Sequence, residues 1–155
     1  MINVFQCIYR MTKESSVNLT WTIRRSFVDY VERSGGSVEA SDGAHRSADG
    51  FVFETVESNA HSARYRGTVR FRAHGGLLDV IVADPQVRFE GAGGTIAVRA
   101  SEDPSDPPVV LARVGEPDAA GAPQLRLTVD GARLLGDVYS PGELLDPFRA
   151  AGEDA

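Results

Sequence analysis

The chain has 155 residues, the length of one domain large enough to bury a core without disulfide or metal staples. Its 16 basic and 22 acidic residues give a net charge of -6, which repels phosphate backbones and anionic lipid headgroups and argues against nucleic acid as a partner. The single cysteine, Cys7, rules out an intramolecular disulfide and any zinc or iron–sulfur site built from several cysteines.

The opening residues, MINVFQCIYRMTKESS, lack the basic start, the apolar run and the small-residue cleavage site of a secretion signal. Met11 offers a second start, and residues 1–17 are expected to form a flexible extension ahead of a domain over 18–148. No stretch approaches the roughly twenty apolar residues of a membrane span. As written, the chain is expected to be cytoplasmic, with no membrane span.

Helical periodicity is confined to Thr20 to Ser34. There Ile23, Phe27, Tyr30 and Val31 fall on one stripe and Arg25, Asp29 and Glu32 fall opposite, with Thr20 or Thr22 as N-cap and Gly35-Gly36 as the stop. The 3.6-residue period places Ser26 one turn before Tyr30, at the polar border of the stripe. After Gly36 the sequence reads as short strands separated by Gly, Asp and Pro: Phe51–Glu57, Ala63–Ala73, Leu77–Ala83, Gln86–Glu90, Thr95–Ala100, Val109–Val114, Gln124–Val129 and Ala132–Leu135. Alternation is clearest in TVRFRAH, where Val69, Phe71 and Ala73 share one face and Thr68, Arg70, Arg72 and His74 the other. The fold expected is mainly β, an antiparallel β-sandwich or partial barrel with one N-terminal amphipathic α-helix. Residues 149–155 are expected to be a disordered tail.

Few residues nominate themselves for chemistry. His45, His61 and His74 lie far apart and form no helical metal pair, and no P-loop, GxSxG elbow or GxGxxG opens a helix. Asp79 reads as a solvent-facing strand residue and Asp84 as a turn residue before Pro85. On pattern alone Tyr30 is a core-edge aromatic with its hydroxyl in water, Ser26 a helix-face hydroxyl, and His74 a strand-end residue facing solvent.

Three segments in order change that balance. LTWTIRRSFVDYVERSGGSVEASDGA carries Trp21, Ser26 and Tyr30; GTVRFRAHGGLLDVIVADPQVRFEGAGGTI carries His74-Gly75-Gly76-Leu77-Leu78-Asp79 and Asp84-Pro85; DVYSPGELLDPF carries an aromatic-x-x-G-x-x-L-D-P run from Tyr139 to Pro147. Together they resemble the HtaA family, the haem-transport-associated domain of actinobacteria, over most of the chain.

The resemblance implies a β-rich domain that binds ferric haem b. Carried over by position, Tyr30 is the iron ligand, His74 supports it, and Ser26 lies near a haem propionate. The assignment is chemically coherent: a phenol titrates near pH 10, but ferric iron favours the anionic oxygen, and an imidazole N–H donated to that oxygen favours it further. Arg24, Arg25 and Arg70 are candidates to screen the propionates, with solvated surface the plainer reading of each. Gly75 and Gly76 are expected to let backbone approach the ring. The implied role is haem acquisition, transfer or buffering with a haem donor or acceptor protein as partner, and no enzyme activity. Family members are usually secreted or anchored at the cell surface; neither a signal nor a span is visible in this sequence. The alternative is a β-sandwich interaction module that has lost haem binding.

Overall fold

The computed structural model describes residues 18–91 and 93–149; the expected extension over 1–17, and the expected tail beyond Arg149, lie outside these residues. Chain order begins with β1 (Leu19–Trp21), α1 (Arg25–Arg33), β2 (Ser37–Ser41), β3 (Ala44–Ser47) and β4 (Gly50–Ser58). It continues through β5 (Ser62–Arg66), β6 (Thr68–Ala73), a single 3-10 turn over His74–Gly76, β7 (Leu78–Glu90) and β8 (Gly93–Arg99). β9 (Val109–Pro117), β10 (Pro123–Leu127), α2 (Val129–Leu134) and β11 (Leu144–Leu145) complete it.

The architecture is mainly β, as expected: one antiparallel sheet curls into a half-barrel. Its path runs β1-β4-β5-β7-β8-β9-β10-β11, with β3 added to β4 and the β2–β6 pair added to β7. Alternation in β6 is realised: Val69, Phe71 and Ala73 are buried, while Arg70 and Arg72 face outward. Phe27 of α1 packs on Phe71 with ring centroids 4.9 Å apart, so the helix lies on the core face of β6. Among the described residues, no helix is long and apolar enough to cross a membrane.

Four local expectations are corrected. The helix starts later than its periodicity suggested, because Leu19–Trp21 pairs with β4 as a strand and the chain then turns at Ile23, whose φ is 66°. Neither Thr20 nor Thr22 occupies the N-cap, which is Arg24. Ala132–Leu135 is not a strand: most of it belongs to α2, whose Thr128 hydroxyl accepts from the Gly131 N–H at 2.8 Å, a capping signal that outweighs a four-residue apolar run. Strands β2 and β3 carry no clear strand signal in the sequence, because their residues are largely exposed and polar and leave little hydrophobic period to read.

The fourth concerns Asp84-Pro85, expected to divide two strands. β7 instead runs straight through it for 13 residues, with β6 on its first half and β5 on its second, and absorbs the pair as a bulge. Asp84 takes a left-handed φ of 50°, and its carboxylate accepts from the Gly67 N–H at 3.1 Å and from Arg99 Nη2 at 2.9 Å. A proline, which has no N–H to give a ladder, is tolerated at such a bulge.

Candidate functional site

The site begins at the C-terminal end of α1. Gly35, with φ 80°, ends the helix: its N–H donates to the Glu32 carbonyl at 3.1 Å and the Gly36 N–H to the Val31 carbonyl at 2.9 Å, a Schellman closure. Gly36 then meets β6 backbone to backbone. A Cβ there would stand 2.0 Å from the Arg72 carbonyl oxygen, so only glycine brings the helix this close to the strand end.

Phe27, Val28 and Val31 form the buried face of α1. Tyr30 stands at the border of that face, 38% exposed, its ring stacked beside Phe27 at 6.4 Å. His74 approaches from β6. It leaves the strand with φ 55°, followed by Gly75 at 66° and Gly76 at 96°, so strand alternation no longer dictates where its ring points. The Tyr30 hydroxyl and His74 Nε2 are 2.8 Å apart, with ring centroids separated by 5.8 Å. Two of the three residues that the resemblance nominates, Tyr30 and His74, therefore meet directly, on the surface.

Ser26, one turn earlier and exposed, is hydrogen-bonded to the hydroxyl of Tyr139. Arg24 Nε donates to the same Ser26 oxygen at 3.1 Å, and its guanidinium carbon lies 5.0 Å from the centre of the Tyr139 ring. Tyr139 also packs 6.1 Å from Phe27. Two polar pairs, Tyr30–His74 and Ser26–Tyr139, thus flank one buried phenylalanine. Leu77, at the end of the His74 turn, leaves 91% of its surface exposed, an apolar group at the rim.

The sequence does not single out Tyr139 as a site residue, although it is the aromatic that opens YSPGELLDP; spacing within a motif does not say which helix a loop will meet. Arg70 belongs elsewhere. It projects from the face of β6 opposite α1, where its guanidinium pairs with both Asp79 oxygens at 2.8 Å and with Glu102. The hydrogen bonds from Arg70 hold the Asp79 carboxyl below the usual carboxylate range. That outer face also carries an open concavity of about 650 Å³ lined by Arg66, Arg70, Arg72 and Arg99 among acidic residues. Arg25 lies beside Thr22 and Arg46, in a small hollow away from Tyr139. Gly75 and Gly76 have open space where a Cβ would be, so their positive φ, rather than close approach of the described chain, is what calls for glycine.

Comparison with known proteins supplies the context. No curated protein matches the chain. Among solved structures, the N-terminal domain of HtaA from Corynebacterium glutamicum is similar at 27% identity, with a TM-score of 0.71 over 86% of this chain and 94% of that one. The C-terminal domain of the same protein aligns at 22% identity and a TM-score of 0.71, covering 86% and 93% of the two chains. Heme binding protein HtaB from that organism aligns at 22% identity and 0.69, covering 86% and 90%; these last two likenesses speak to the fold. Residues 16–151 match the family HtaA, described as Htaa, and with that match spanning nearly the whole sequence, the chain belongs to the HtaA family.

Proposed function

We propose that this chain binds one ferric haem b through the Tyr30 phenolate, supported by His74, and serves in haem acquisition, transfer or buffering without catalytic turnover. The observation that carries the reading is the 2.8 Å contact between the Tyr30 hydroxyl and His74 Nε2. Membership of the HtaA family and the fold shared with a protein described as heme binding support it.

The donor set fits the group. Haem needs an anionic or imidazole ligand for iron, an apolar surface for the ring and polar groups for the propionates. Tyr30 offers the first; the exposed flank of Tyr30 and Leu77 offer apolar surface; Ser26, Tyr139 and Arg24 form a polar, cationic cluster one turn away. Ferric haem supplies a Lewis-acidic iron that favours the ionised phenol.

The protein's part is to place one proton. With Tyr30 neutral, its O–H donates to a bare His74 Nε2. When the phenol ionises, its proton passes to Nε2, and the N–H then donates back to the phenolate across the same short distance. A charge-assisted bond of this kind is roughly twice as strong as a neutral one. The Tyr30 phenolate, a hard oxygen donor, would hold ferric iron in preference to ferrous, a property that would suit a carrier handing its cargo to an acceptor protein.

The test is a hemin titration of the purified protein, followed by absorbance. Saturation at one equivalent with a high-spin ferric spectrum is the expected result. A linear rise without saturation would count against the reading and favour an interaction module that no longer carries haem.

A further inference from the structure

Helix α1 enters the site without a cap of its own. Arg24, at the N-cap, makes no side-chain cap bond, the first turn holds no acidic residue, and two arginines crowd the positive end of the helix dipole. By contrast α2 carries its own cap in Thr128. For α1 the missing acceptor arrives from 121 residues away: one carboxylate oxygen of Asp146 accepts from the Arg25 N–H at 2.7 Å and from the Thr22 hydroxyl at 2.6 Å.

The backbone of Asp146 closes the same grip. Its carbonyl accepts from Trp21 Nε1 at 2.7 Å, and its N–H donates to the Ile23 carbonyl at 3.0 Å. Ile23 is buried and β-branched with φ 66°, a conformation that persists only where the surroundings over-determine it. Four hydrogen bonds to one residue do so. Arg24 Nη1 adds a fifth tie, to the Leu144 carbonyl at 2.7 Å.

We propose that Asp146 is a positioning residue for the Tyr30 site: its carboxylate fixes the start and the rotation of α1, and through them where Ser26 and Tyr30 stand relative to Tyr139 and His74. The helix has only 9 residues, held by Asp146 at one end and by the Gly36 contact with β6 at the other. With Asp146 anchoring the Arg25 N–H, a slip of the helix by one residue against that anchor would turn the side-chain set by about 100°, following from 3.6 residues per turn. A hydrogen bond of 2.8 Å has little slack before it is lost. The consequence for ligand retention rests on the haem reading above; the consequence for the Tyr30–His74 contact does not.

The experiment compares Asp146→Ala, Asp146→Asn and Thr22→Val with the full-length parent. In haem-free protein it follows amide exchange over residues 25–28 and the His74 Nε2 resonance; with hemin it follows the ferric spectrum and the rate of loss to apomyoglobin. Asp146→Ala is expected to speed exchange at the helix start, move the His74 resonance, shift the hemin spectrum and accelerate hemin loss about tenfold, in line with an N-cap contribution. Asp146→Asn keeps an acceptor oxygen and should stay within about twofold of the parent, and Thr22→Val should fall between the two. Faster exchange at the helix start with the His74 resonance and hemin loss unchanged would overturn the proposal, leaving Asp146 a purely structural cap. If Asp146→Ala does not fold, Thr22→Val decides by the same criteria. If the parent itself takes no hemin, the haem reading falls and the His74 resonance alone decides for Asp146.

Discussion

Tyr30 and His74 are 44 residues apart in the chain, yet the phenol oxygen of one lies 2.8 Å from a ring nitrogen of the other. Two backbone devices bring them together. Gly36 lets α1 touch the end of β6, and a left-handed turn at His74, Gly75 and Gly76 swings the imidazole off the strand's outer face. In the proposed haem reading, a proton shared across that distance would make His74 a stabiliser of the ionised phenol rather than a second ligand.

His74→Ala is accordingly expected to keep a ferric haem spectrum but to hold the haem less firmly. A hydrogen bond to a charged group is worth about 1.5–3 kcal/mol, so hemin transfer to apomyoglobin should quicken by roughly tenfold or more. Transfer at the parental rate would mean the imidazole does no work on the phenolate.

The two glycine positions separate packing from conformation. Gly36→Ala forces a Cβ to within 2.0 Å of a backbone carbonyl and should destabilise the fold by about 2 kcal/mol or more, while loosening the site. Gly75→Ala meets open space and pays only for its φ of 66°, roughly 1 kcal/mol. Urea denaturation of both variants gives the ordering; equal losses would contradict it.

How much of this was legible beforehand divides along physical lines. Alternation in β6 and the Gly35-Gly36 stop were readable because burial and backbone geometry leave periodic or local traces, and Val69, Phe71 and Ala73 are buried as that alternation required. The nomination of Tyr30, His74 and Ser26 came from the resemblance; composition and period gave each a plainer reading. Long-range partners left no trace. Nothing in LTWTIRR says that its helix cap will be Asp146, and nothing in YSPG says that its tyrosine will reach Ser26. Short polar strands such as Ser37–Ser41 escaped notice because half-exposed residues carry no hydrophobic period.

The buried hydroxyl of Tyr65 finds no hydrogen-bond partner among the described residues, and burial pushes its ionisation far above the ordinary phenol value. Leaving such a group unsatisfied costs about 1–3 kcal/mol. Tyr65→Phe should therefore raise the urea midpoint or leave it unchanged, with the ring still packed. A clear loss of stability would show that the hydroxyl is engaged after all.

Acid should weaken the fold through two exposed ion pairs. Hydrogen bonds from Arg70 lower the Asp79 pKa, and those from Arg46 lower that of Glu32. Because each folded value lies below its unfolded one, the stabilisation is present above about pH 4 and fades as the pH falls through the folded value. Melting curves from pH 7 to pH 2 should show Asp79→Asn losing part of this acid dependence; an unaltered slope would remove Asp79 from the account. The effect is modest, since solvent screens both pairs.

The central claim, that the phenol oxygen of Tyr30 binds ferric iron, is tested most directly by the absorbance spectrum of hemin added to Tyr30→Phe. That variant keeps the ring beside Phe27 and removes only the oxygen. The account predicts that the ferric spectrum seen with the parent protein disappears while the fold is retained. A parental spectrum in the variant would contradict it.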